Sequence, residues 1–65
     1  MIGIAIIEVI YPDQPPYKHQ HVWMSEGIEY APVELADWKR ETEEQQGCTL
    51  KILEWRLEER TDIGY

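Results

Sequence analysis

Ile2-Gly3-Ile4-Ala5-Ile6-Ile7-Glu8-Val9-Ile10-Tyr11 is the most apolar stretch of the chain, and its reading decides the fold. β-Branched side chains are restricted in a helix and pack well on a pleated surface, so this run reads as a strand. Alternation divides it into Ile2, Ile4, Ile6, Glu8, Ile10 on one face and Gly3, Ala5, Ile7, Val9, Tyr11 on the other. Both faces are mainly apolar, as expected of a central strand covered, or nearly covered, on each side. The stretch contains Glu8 and is far shorter than the roughly 20 residues a membrane-spanning helix needs.

Beyond it, Pro12-Asp13-Gln14-Pro15-Pro16 lacks donors at its prolines and ends the ladder. Residues 17–24, YKHQHVWM, alternate as a second strand with Tyr17, His19, His21 and Trp23 on one face. The two strands make a hairpin. Residues 25–30, with Gly27, read as a loop. Pro32 then stands where a first helical turn tolerates proline, and Glu34 and Asp37 follow near the positive end of the helix dipole. The spacing predicts a helix over 32–46 with Gly47 as its C-terminal cap, and Ala31, Leu35, Trp38 and Thr42 on its inner stripe. Residues 49–58, TLKILEWRLE, form a third strand whose apolar side chains change faces between Ile52 and Leu53, as in a bulge or a two-sided strand. Residues 59–65 are polar and expected to fray.

The order β-β-α-β predicts an α+β fold: a three-stranded antiparallel sheet in the order 2-1-3, with one helix on one face. Sixty-five residues make one domain, since a second core would have too few residues to build it. The uncovered sheet face exposes either part of the isoleucine set or part of Tyr17, Trp23 and Trp55. A contiguous apolar patch there marks a partner surface.

Thirteen acidic residues face six basic ones, a net charge of −7. Phosphates would be repelled, so direct nucleic-acid binding and attachment to anionic membranes are disfavoured. The charge points instead to a protein partner with a basic surface, or simply keeps a small domain soluble. Cys48 is the one cysteine, so no disulfide forms within the chain. That fits a reducing compartment, and with no signal-like leader the expected location is cytoplasmic.

Residues able to do chemistry are sparse. His19 and His21, at i and i+2 on a strand, point to one side and form a candidate metal pair, with Cys48 a third ligand if it lies on that face. Cys48 follows the helix C-terminus, where the dipole disfavours a thiolate, and reads better as a small core hydrophobe. Neighbouring acids such as Glu43-Glu44 diverge on a helix, and no glycine-rich loop precedes a helix to hold phosphate. The expectation is a protein that is not an enzyme and carries no cofactor.

Two surfaces are expected to bind. One is acidic: Asp37, Glu41, Glu43 and Glu44 on the helix, joined by Glu54, Glu58 and Glu59 on and beyond the last strand. Such a patch suits a groove that otherwise takes nucleic acid. The other is aromatic, with Trp23 or Trp55 as the interface anchor. Unpaired edges of the outer strands also permit a homodimer.

Val33-Glu34-Leu35-Ala36-Asp37-Trp38 followed by Gly47-Cys48-Thr49-Leu50-Lys51-Ile52-Leu53 resembles the helix-to-last-strand segment of the small RNA polymerase inhibitors of T7-like phages. Where that family presents arginines from its last strand, this chain has Ile52 and Glu54, so no binding residue carries over. The resemblance implies a class: small acidic phage or mobile-element proteins that bind and modulate a host or defence protein. The alternative expectation is a structural homo-oligomer.

Overall fold

A computed structural model describes residues 1–59. Its elements are β1 (Ile2–Ile10), β2 (Tyr17–Met24), α1 (Ala31–Gln46) and β3 (Thr49–Glu58). The strands form one antiparallel sheet in the order β2-β1-β3, so the isoleucine-rich strand is central and hydrogen-bonded on both edges. The α+β architecture expected from the sequence is the one found. The expected fray of 59–65 lies, apart from Glu59, outside the described residues.

Register sorts every strand residue onto a face. Gly3, Ala5, Ile7 and Val9 of β1 are buried, while Ile2, Ile4, Ile6, Glu8 and Ile10 are half-buried. The helix therefore packs over the Gly3–Val9 set. Across the ladders, Trp23, His21, His19 and Tyr17 of β2 pair with Gly3, Ala5, Ile7 and Val9 in turn. On β3 the register slips between Ile6 and Ile7, leaving Leu53 as the extra residue. That bulge reverses the parity of the strand. Leu50 and Ile52 before it, and Trp55 and Leu57 after it, all reach the helix side, whereas Lys51, Glu54, Arg56 and Glu58 share the outer face.

The core is small: Ala5, Ile7, Val9, Leu35 and Leu50, with Tyr11, Trp23, Trp38, Cys48, Ile52 and Trp55 packed around it. Of the helix, only Ala31 and Leu35 are fully buried. Two glutamates fasten its ends. In the first turn, Glu34 accepts the Trp23 indole N–H at 2.9 Å and the Glu26 backbone N–H at 3.0 Å. In the last turns, Glu43 accepts the Leu50 N–H at 2.8 Å and lies 3.2 Å from the Lys39 ammonium. Gly47 ends the helix in the left-handed conformation, φ 65°, its N–H returned to the Glu43 carbonyl at 3.0 Å.

Candidate functional site

The outer side of α1 is built by helical spacing alone. Val33, Asp37, Glu41 and Glu44 fall within one exposed sector, because steps of three and four residues return to the same side of a helix. Arg40 flanks the row and meets Asp37 at 3.2 Å. Both side chains of that pair are more than half exposed, so it adds little to stability and leaves the row acidic. At the N-terminal end of the row stand three large apolar side chains in solvent: Ile28 at 63%, Tyr30 at 57% and Val33 at 61% exposure. A turn closed by Gly27, whose carbonyl accepts the Tyr30 and Ala31 N–H groups, presents them.

The acids named from the sequence do not gather into a single patch. Asp37, Glu41 and Glu44 share the helix face. Glu43 is partly covered and spends its carboxylate on Leu50 and Lys39, which hold it below its ordinary 4.5. Glu54 and Glu58 point away from the helix, on the far side of the sheet, with Arg56 between them and 3.1 Å from Glu58. Glu59 follows at the end of β3, exposed.

Both named tryptophans lie on the helix side, half-buried against the core. The Trp23 ring lies over Gly3, and its N–H is held by Glu34. The large apolar side chains in solvent beside the start of α1 are Ile28, Tyr30 and Val33. Their sequence signal was present, a large apolar residue on each side of an exposed turn, but loop geometry was needed to show that no described residue covers them.

His19 and His21 do share a face. The His21 ring stacks on Trp38 with centroids 3.7 Å apart and planes 13° apart, and on Trp23 at 5.5 Å and 9°. Burial, and secondarily the neighbouring His19, lower its pKa below the ordinary 6.5. Among the described residues no three His, Cys, Asp or Glu side chains converge as metal ligands.

An apolar cleft of about 160 Å³ opens beyond the C-terminal half of α1, lined by Tyr11, Tyr17, His19, Trp38, Cys48 and Leu50 among others. Burial, with the Cys48 thiol and the Tyr17 phenol beside it, raises the Tyr11 phenol above 10.0. That phenol stays protonated and neutral at physiological pH. Among the described residues no carboxylate lines the cleft. Comparison with protein-family models, curated protein sequences and solved structures returns no match.

Proposed function

We propose that this protein acts by binding another protein: the acidic face of α1 seats on a basic surface of the kind that otherwise holds nucleic-acid phosphates. The observation that carries this reading is the alignment of Asp37, Glu41 and Glu44 in one exposed row, beginning at the exposed trio Ile28, Tyr30 and Val33. Charge of one sign steers a basic partner and sets orientation, and an aromatic anchor supplies desolvated contact area. The segment resemblance across 33–38 and 47–53 supports the class of small phage or mobile-element protein that modulates a host or defence protein.

The test is capture from bacterial lysate at about 50 mM and about 500 mM salt, read by mass spectrometry, with the Asp37→Lys/Glu41→Lys/Glu44→Lys protein alongside. One dominant nucleic-acid-handling protein is expected at low salt, lost at high salt and lost with the triple variant. A partner retained equally by the triple variant would sink the electrostatic reading. Tyr30→Ala is expected to weaken capture at least tenfold, the loss of one interface anchor.

A further inference from the structure

Among the described residues, nothing covers the sheet face turned away from α1. Its centre is a stripe of Ile2, Ile4 and Ile6, each half-buried, with Ile10 beyond Glu8 on the same face. Val22 and Met24, 52% and 71% exposed, widen the stripe on β2 beside Ile4 and Ile2. A monomer rarely leaves an apolar patch such as Ile2, Ile4, Ile6, Val22 and Met24 in water.

The charges around the stripe say what fits it. Glu8, Glu54 and Glu58 share this face with Lys18, Lys51 and Arg56, so it is electroneutral on a chain of net charge −7. It is therefore a surface on which two copies can approach without like-charge repulsion. The order of the charges is more specific still. Along β3 the outer face reads Lys51, Glu54, Arg56, Glu58, alternately positive and negative, opposite Glu8, Ile6, Ile4 and Ile2 of β1. A row of this kind is complementary to its own reverse.

We infer that the uncovered face binds a second copy of this chain, sheet against sheet, with the two β3 strands antiparallel across the interface. A two-fold axis crossing the strands at the level of Ala5 and Trp55 sets Lys51 against Glu58 of the second copy and Glu54 against its Arg56. Ile4 of each copy then meets Ile6 of the other, while Glu8 and Lys18 lie over Ile2 and Met24 at the two ends. The alternative with the axis along the strands would lay Lys51 over Lys18 and Glu8 over Glu8, two like-charge contacts that the first arrangement lacks. Charge matching selects the first arrangement. An isologous pair of this type needs one self-complementary patch and no other partner. Each α1 stays on the outside, so the acidic row described above is displayed twice, although the pairing stands independently of what that row binds.

Three strands about 4.8 Å apart and some nine residues long give a footprint of roughly 400 Å² per copy. That is small for a specific interface, so association is expected to be reversible and concentration-dependent, with Kd on the order of 10 µM to 1 mM.

Sedimentation equilibrium from about 5 µM to about 2 mM tests this directly. The wild-type mass is expected to rise from the 7.7 kDa of one chain toward twice that value, and to rise less at high salt. Two variants then read the charge row. Lys51→Glu/Arg56→Glu makes it wholly acidic, and Glu54→Lys/Glu58→Lys makes it wholly basic. Each alone is expected to stay monomeric, while an equimolar mixture forms the heterodimer. Net charges of −11 and −3, four either side of −7, give the mixture no general attraction to account for that result. Association of the mixture also shows that both variants are folded. Ile4→Thr/Ile6→Thr, which keeps β-branching on the strand, is expected to weaken pairing at least tenfold. A wild-type mass that stays at one chain up to about 2 mM would overturn the inference. So would dimers indifferent to all three variants, which would place the contact at the strand edges.

Discussion

Gly3 is required by the ring beside it rather than by its backbone. A Cβ at this position would lie 2.5 Å from the Trp23 indole, closer than real side chains approach. Gly3→Ala is therefore expected to push the ring outward, break the Trp23–Glu34 hydrogen bond and cost about 1–3 kcal/mol by overpacking. Denaturant titration measures the loss, and a red-shifted tryptophan emission accompanies it. His21 carries a second prediction. Its folded-state pKa lies below the ordinary 6.5, because burial between the aromatic rings disfavours the cation. The unfolded chain thus takes up the proton first as pH falls, and stability drops from about pH 6.5 downward until the folded-state pKa is passed. His21→Phe keeps a ring in the stack and removes the proton. The difference in denaturation midpoint between wild type and His21→Phe is expected to change between pH 7.5 and pH 5.5, in the direction of wild-type loss. Glu34 and Glu43 act in a lower window, since their hydrogen bonds hold both below 4.5 and that stabilisation is lost only as pH falls past those values. A midpoint difference that does not vary across the upper window would remove His21 from the account.

Helix α1 is held by its ends more than by its stripe. Sixteen residues are marginal for an isolated helix, and only Ala31 and Leu35 are fully buried. Glu34 and Glu43 supply the fastening, one to β2 and the following loop, the other to the first residues of β3. Gly47 closes the last turn at φ 65° with open space around it, so Gly47→Ala meets no clash and tests backbone strain alone. An expected cost of about 1 kcal/mol, read by thermal or chemical denaturation, follows from the left-handed conformation. At this scale the sequence was largely legible. Proline near the first turn, the Leu35–Trp38 spacing and the terminal glycine gave the helix to within one residue at its start, and the change of face at Ile52–Leu53 left a bulge as one of two readings, which the register decides. These signals are local, and local periodicity and turn chemistry are what a sequence records directly. Glu34 and Glu43 as fasteners were not legible. Their partners lie 11 and 7 residues away, and nothing in either neighbourhood distinguishes them from the solvent-facing Glu41 and Glu44.

For the molecule as a whole, distribution of charge matters more than its total. The exposed acids of α1 and of the strands divide between the helix face and the far face of the sheet. On the helix side they form a row next to Tyr30; on the sheet side they alternate with lysine and arginine. The first arrangement suits a basic partner and the second suits another copy, so the reversal of Asp37, Glu41 and Glu44 is expected to abolish partner capture and leave sedimentation unchanged.

The sequence by itself determined the element order, the central place of the isoleucine strand and the antiparallel 2-1-3 sheet. β-Branching, helical spacing and short connections leave few other ways to arrange three strands and one helix. Which face of β1 the helix covers was decided only in the tertiary structure, since both faces are apolar and periodicity cannot rank them. Gly3 leaves room for Trp23, and the bulge at Leu53 turns Leu50, Ile52, Trp55 and Leu57 to a common side. Packing around those residues draws the helix there. The same event leaves Ile2, Ile4, Ile6 and Ile10 outside, within a frame of alternating charge.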